Sequence, residues 1–417
     1  MGSVRSIVVL VAVSIVAAAG VAAAAHPAAG GARTAAATGC ADPYSSQRDP
    51  SNPLMLAKAP GSDPLRGASF FVDGPTHGAA AGEIARLLGI DSNVPIGQYL
   101  PAFPDSESWA TFKQQVARML PAHAAVAGKV RLLEKIADEP ETQRVSNAVE
   151  HGTISGLADF ARKLFCHTFT ADPGTVPIIN TYFLHGVLGG CPTKNQIDAY
   201  MPLFKQRIDT VVARTGNRPV VYLLEFDAVG SSSCIKGGAL SAWEAALRYE
   251  VDQFAKLPHA VAYVEAGYSD GNSSSYTAGV LNTVDIQRIR GFFTNDTHNE
   301  WTSNEIKWGE QVSRMTHGAH FVINTSSNGR GPLLNAHPHS QGVEDLCNPP
   351  GRGLGPRPTT STGFANVDAF LWAHVPGNSS GSCNGGPPSG TWWPALAETL
   401  AANANGKLGP GYPSQPY

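Results

Sequence analysis

The chain has 417 residues, with 30 Lys plus Arg against 33 Asp plus Glu and a formal net charge of −3. Only 15% of the residues are charged, while 42% are hydrophobic. This balance excludes the basic patches that nucleic acids and anionic membranes require, and it points to neutral partners.

Residues 1–25 read as an export signal, with Arg5 as the positive start, Ile7 to Val16 as the apolar stretch and Ala23-Ala24-Ala25 as a small-residue cleavage site. No other segment approaches the roughly 20 apolar residues that a membrane span needs. The expected location is therefore extracellular. Residues 26–50 form an Ala/Gly-rich, flexible N-terminal segment. Residues 51–417 carry no Pro/Ser/Thr linker, internal repeat or charge block, so a single large domain is expected there, acting as a monomer. Cys40, Cys166, Cys191, Cys234, Cys347 and Cys383 are too widely spaced for a zinc site, and an even number in an exported chain favours disulfides. All 15 pairings are open in principle. The preferred set is Cys40 with Cys166, Cys191 with Cys234 and Cys347 with Cys383, because the last two would each tie loops that follow neighbouring strands.

Seven short apolar runs each end on a polar residue able to do chemistry. They are Phe70 to Val72 before Asp73, Ile178 to Leu184 before His185, Val220 to Leu224 before Glu225 and Asp227, and Val261 to Val264 before Glu265. The remaining three are Phe292-Phe293 before Asn295, Phe321 to Ile323 before Asn324, and Phe370 to Trp372 before His374. Apolar runs of this length without alternation suit parallel strands buried on both faces. The fold class is α/β, a distorted (β/α) barrel of about seven or eight parallel strands whose ends converge on one rim. Between residues 105 and 168 the rhythm stops. Trp109, Phe112, Val116 and Leu120 share one helical face and Val130, Leu133 and Ile136 another, which predicts a helical insertion without strands.

The sharpest site candidate is Asp227, where a strand-end carboxyl set against Phe226 would lose hydration and hold its proton towards neutrality. The alternative reading is a helix cap or loop anchor. Glu225 lies two residues earlier, on the same side of an extended chain, as a support for it. Glu265 ends the next strand and is either part of the site or a buried Glu paired with Arg288 or Arg290. Tyr268 can stack on a sugar after the tight Ala266-Gly267 turn. Asn295, Asn299 and Trp301 supply the amides and indole that a carbohydrate site needs, or else make ordinary turns. No phosphate-binding Gly loop follows a strand and no His/Asp cluster has metal spacing, so no cofactor is implied.

Several segments come in the order seen in glycoside hydrolase family 6. They are Asp63 to Ala68, Asn295 to Trp301, His320 to Gly329, Cys347 to Gly355, Val367 to Trp372 and Pro376-Gly377. The chain resembles that family of secreted endoglucanases and cellobiohydrolases, which cut β-1,4-glucan with inversion on an incomplete β/α barrel. The resemblance implies that Asp227, in Glu225-Phe226-Asp227, matches the general acid. It also implies bridges between Cys191 and Cys234 and between Cys347 and Cys383. Four family carboxylates are replaced here, by Gly190, Asn324, Asn378 and Ser380. Glu265 is then the expected substitute base, unless the water is activated indirectly. The substrate-facing set is Tyr99, Glu225, Tyr268, Asn295, Asn299, Trp301, His374, Asn378 and Ser380. The function expected is hydrolysis of a β-glucan or related polysaccharide with inversion, the alternative being a carbohydrate-binding protein that no longer cuts.

Overall fold

Runs of five apolar residues must be covered on both faces, and the chain does this with one curled sheet wrapped in helices. The structure, a computed structural model, describes residues 42, 44, 56, 63–75, 78–90, 108–146, 152–333, 343–412 and 414–415. The proposed signal, Cys40 and Tyr99 lie outside the described residues. Seven strands pair in chain order: β1 Gln143–Ser146, β2 Ile178–Tyr182, β3 Val220–Leu224, β4 Ala260–Glu265, β5 Gly291–Thr294, β6 His320–Asn324 and β7 Val367–Leu371. All six pairings are parallel, from Gln143 opposite Ile179 to Asn324 opposite Leu371. No pairing between β7 and β1 closes the ring among the described residues, so the sheet is a half-barrel.

The pleat sends alternate residues to two separate cores. Val220, Tyr222 and Leu224 of β3 face the helix layer, where they join Phe204, Trp243 and Leu247. Val221 and Leu223 face the barrel interior, with Val261, Tyr263, Phe293, Val322 and Leu371. Each fully buried side chain of this kind contributes about 1.5–3 kcal/mol. Helix Lys194–Thr215 returns the chain from β2 to β3 and starts with a capping box. In it the Thr193 hydroxyl accepts the Gln196 amide, and the Gln196 side chain accepts the Thr193 amide.

Two sequence expectations are corrected at the open edge. The stretch from 105 to 168 does hold helices Trp109–Met119 and Ala127–Ala137, but it also supplies strand β1. Gln143-Arg144-Val145-Ser146 has no apolar run because an edge strand covers only one neighbour, and Val145 alone is fully buried. Conversely, Phe70 to Val72 is no strand. Phe70 makes a single parallel bridge to Val176, just ahead of β2 and on the edge that β1 then occupies. The count of seven is right, with one member exchanged.

Two disulfides are seen as expected, Cys191–Cys234 with Cα atoms 5.7 Å apart and Cys347–Cys383 with 6.0 Å. Cys166 is also disulfide-bonded.

Opposite the rim where the strands end, at the end where they begin, four polar groups meet in the apolar interior. The Asp368 carboxylate accepts from Arg290 Nε at 2.6 Å and Nη2 at 2.8 Å, from the Tyr263 hydroxyl at 2.7 Å, and lies 2.9 Å from His320 Nδ1. Burial alone would raise the Asp368 pKa, but the Arg290 and His320 hydrogen bonds and the Arg290 charge outweigh it and hold the carboxyl below its usual range. Asp368→Asn leaves the Arg290 charge half-buried without its partner. It is expected to lower unfolding stability by about 3–5 kcal/mol in urea titrations. A loss below about 1 kcal/mol, the ordinary size for a point change, would show that this cluster does not hold the barrel floor.

Candidate active site

At the rim where the strands end, buried carboxylates and amides bond the loop next door. The Glu225 side chain follows β3 and accepts the amides of Phe183 at 2.9 Å and Leu184 at 2.7 Å, in the loop after β2. Glu265 ends β4 and accepts the amides of Val229 at 2.6 Å and Gly230 at 2.9 Å, in the loop after β3. Asn324 ends β6 and donates to the Asn295 carbonyl at 2.8 Å, while its own carbonyl accepts from Asn295 at 3.0 Å. Glu225, Glu265 and Asn295 are completely buried. The crowding is tight at Gly230, where a Cβ would stand 3.0 Å from Glu265 Oε1 and 3.1 Å from the Gly267 backbone.

Asp227 sits three residues beyond β3, with a left-handed backbone at φ 61°. Its side chain is 20% exposed, which distinguishes it from the buried carboxyls around it. The Thr297 hydroxyl donates to Asp227 Oδ1 at 3.1 Å, His185 Nδ1 lies 3.7 Å from Oδ2, and the backbone amide donates to Asp296 Oδ2 at 2.8 Å. Glu225 shares no side-chain hydrogen bond with Asp227. It fixes the chain on either side of the Phe183-Leu184 turn instead.

A cleft opens beside this group, lined by Asp296 and by Thr297, whose hydroxyl bonds Asp227, while Asp227 itself is not among the lining residues. Of the residues expected to face substrate, Asn299, His374, Asn378 and Ser380 line it. Asn299 accepts the Ser327 hydroxyl at 2.7 Å, and burial together with the nearby Arg144 charge pushes His374 down to about 4, leaving a neutral ring. Tyr268 stacks on His298 with centroids 3.3 Å apart, and Trp301 packs on Gly331, where a Cβ would come within 2.2 Å of the indole. Neither is among the cleft-lining side chains. Arg288 and Arg290 pair with Asp252 and Asp368, so neither reaches Glu265.

The sequence reading missed Asp296, Thr297 and Asn348, all of which line the cleft. Asp296 and Thr297 directly follow the amide that ends the β5 segment, the same signal that marked Asp227, but they were read there as part of a polar turn. Asn348 Nδ2 lies 2.7 Å from the Gly381 carbonyl and 3.1 Å from Ser379 Oγ, and its Oδ1 accepts the Ser380 amide at 2.8 Å. This clamps the loop that carries Asn378 and Ser380. Among the described residues no three His, Cys, Asp or Glu side chains converge as metal ligands.

Residues 188–404, more than half of the chain, match the family described as Glycosyl hydrolases family 6. The chain belongs to this family. It is 31% identical to Endoglucanase A of Cellulomonas fimi over 275 residues, covering 66% of this chain and 56% of that protein. It is 29% identical to Endoglucanase 1 of Streptomyces sp. (strain KSM-9), covering 65% and 71%. The chain thus spans little more than half the length of the first of these relatives. Among solved structures it resembles the endoglucanase Cel6 from Mycobacterium tuberculosis, in complex with methyl-cellobiosyl-4-deoxy-4-thio-β-D-cellobioside. That match has a TM-score of 0.61 at 28% identity and covers 82% of this chain and 99% of the other. Endoglucanase CEL6B from Humicola insolens, at 18% identity and a TM-score of 0.58, shares the fold.

The rim of this family 6 chain holds an unusual load of protonatable carboxyls. Burial raises Glu225 from 4.5 to about 7 against the pull of the Phe183 and Leu184 amides. It raises Glu265 and Glu305 from 4.5 to about 8 in the same way, the Asp227 charge adding to the rise at Glu265 and the Asp270 charge at Glu305. A carboxyl that binds its proton more tightly folded than unfolded favours the fold below its unfolded pKa. That advantage falls as pH rises towards the folded value. Asp368 has the opposite sign, its contribution being present above its ordinary value and lost as pH falls. Melting temperature is therefore expected to peak near about pH 5 and to decline through about pH 8. Thermal melts across that range check this, and a melting temperature rising from pH 5 to 8 would contradict it.

Proposed function

We propose that this chain is a secreted glycoside hydrolase that cleaves β-1,4-glucan or a related polysaccharide with inversion, Asp227 being the general acid. The observation that carries this reading is the placement of Asp227. It is a partly exposed carboxyl beside the cleft at the end of a central strand, in a family 6 chain whose endoglucanase relatives act on glucan. Asp227 gives its proton to the glycosidic oxygen as the bond from the anomeric carbon to that oxygen breaks. Water attacks the anomeric carbon from the opposite face and loses its own proton, so the product leaves with inverted configuration. The disulfides support an extracellular site of action, and the amides and hydroxyls of Asn299, Ser327, Asn378 and Ser380 along the cleft support an uncharged sugar chain, bound by a monomer.

Glu265 is better placed as a support than as a base. Its carboxyl is completely buried, and one oxygen is held by the Val229 and Gly230 amides of the very loop that carries Asp227. An inverting base must stand about 6.5–9.5 Å from the acid with a water between them. Activation of the water through other cleft waters is the reading proposed here. A second reading, a carbohydrate-binding protein without hydrolysis, is favoured by one observation, that Asn378 and Ser380 line the cleft wall without a carboxylate.

Purified protein incubated with soluble glucans separates the two readings. Release of reducing ends with the α-anomer formed first, read by proton NMR, is the expected result. Asp227→Asn, nearly the same shape, is expected to lose ~10²–10⁴-fold in kcat with an unchanged melting curve. Full activity in that variant would remove Asp227 from the role, and oligosaccharide binding without cleavage by the wild type would establish the second reading.

A further inference from the structure

One permanent charge at the rim has no counter-ion among the described residues. Arg144 is the second residue of β1, half-buried and in register with Asn180 of β2. Its Nε donates to Asn180 Oδ1 at 3.2 Å. The guanidinium carbon stands over two rings, 5.1 Å from the centroid of Tyr182 and 4.9 Å from that of Phe226. Asp227 and Asp296 reach it through charge alone, without an ion pair or a hydrogen bond. Nη1 and Nη2 donate to no protein atom among the described residues, and neither is sealed from solvent.

The neighbours place this group at the cleft. Phe226 directly precedes Asp227, and Asn180 Nδ2 donates at 3.5 Å to the carbonyl of Ala373, the residue before the cleft-lining His374. The guanidinium therefore stands between the Asp227 loop and the wall that follows β7. We propose that Arg144 selects a sugar chain that bears a carboxylate, its Nη1 and Nη2 donating to the two oxygens of a uronic acid unit. The inference rests on the reading of the cleft as a site for β-1,4-glucan or a related polysaccharide, and it names the relation as glucuronic acid within the chain.

A guanidinium keeps its charge at any physiological pH, and a charge withdrawn from water is costly until it is paired. With Nε taken by Asn180 and the faces turned to the rings, the open edge is the one formed by Nη1 and Nη2. That edge matches a carboxylate, which accepts two parallel hydrogen bonds from it. A sugar hydroxyl brings no charge and fills less of the fork. Arg352, the other cation at the cleft, is already committed to backbone, donating to the carbonyls of Gly331 at 2.5 Å and Pro350 at 3.3 Å. Asp296 is the one carboxyl among the lining residues, and burial first, then the Glu265 and Asp227 charges, pushes it well above the usual carboxylate range. An entering carboxylate thus meets little opposing charge along the lining. Uncharged units of the same chain meet the amides and hydroxyl of Asn299, Asn378 and Ser380.

Calorimetry on the purified protein tests this with two oligosaccharides of equal length, a cello-oligosaccharide and the same chain oxidised at C6 to glucuronate units. The wild type is expected to bind the oxidised chain at least about tenfold more tightly at low salt. Added salt should reduce that preference. Arg144→Gln is expected to abolish it, and Arg144→Lys, which keeps the charge without the fork, to retain only part. Melting curves establish that each variant is folded, and if Arg144→Gln does not fold, Arg144→Lys decides. Equal or weaker binding of the oxidised chain by the wild type overturns the proposal, as does a preference undiminished in the variants. Kinetics give a second readout, a higher KM in Arg144→Gln for the oxidised chain alone. A residue that only balanced the charge of Asp227 and Asp296 would lower kcat on both chains alike, and that result also overturns the assignment. Preferential binding of the oxidised chain without cleavage of either would end the hydrolase reading and leave Arg144 in its role.

Discussion

A buried carboxylate must find hydrogen-bond donors or it will not stay buried, and in this chain the donors are the backbone amides of the adjoining loop. Glu225 binds the loop after β2, Glu265 the loop after β3, and Asp296 the Asp227 amide. Asn324 continues the series towards β7, its Oδ1 accepting the Ala373 amide at 3.0 Å. The loops after β2, β3, β5 and β7 are each thus bonded to a side chain that follows or ends another strand. Removing one of these side chains leaves orphaned buried amides in the adjoining loop, each unsatisfied group costing about 1–3 kcal/mol. The rim behaves as one network for this reason, and Asp227 inherits its position from several strands at once.

The same arrangement explains why the rim tolerates strained backbone. Glu225, Asp227 and Asn295 all have positive φ, at 54°, 61° and 64°. Conformations of this kind cost about 1–3 kcal/mol each and persist only where surroundings over-determine them. Here each of the three has its side chain or its amide hydrogen-bonded to a different strand's loop.

Much of the barrel could be read from the sequence because double-sided burial leaves an unmistakable mark. Val220 to Leu224 and Val261 to Val264 admit no polar residue, and both are strands. The mark fails at the open edge, where β1 needs only Val145 in the core and Phe70 to Val72 is apolar without being a strand. At the site, residue type gave Asp227 and the amides, but direction did not follow from type. Glu265 and Asp227 are both strand-end carboxyls, yet one turns under a loop and the other borders open space. Tyr268 and Trp301 look like sugar platforms in sequence, and in the structure one stacks on His298 and the other packs on Gly331. Asp296 was hidden for the same reason in reverse. A carboxyl inside a run of amides reads as a turn until the neighbouring loop is seen to rest on it.

The clamp around Asn348 has a further consequence. The loop from Pro376 to Gly386 is cross-linked through Cys383 to Cys347, and Asn348 fixes its interior through Ser379, Ser380 and Gly381. Such a wall has given up its conformational freedom at folding and loses little more when a ligand arrives. A ligand entering the cleft meets a preformed surface, so selectivity there is a matter of shape and hydrogen-bond geometry rather than of induced closure. The covalent tie also makes that surface conditional on an oxidising environment. In a reducing compartment the same sequence would keep its barrel and the Asp227 loop but hold the opposite wall of the cleft by hydrogen bonds alone.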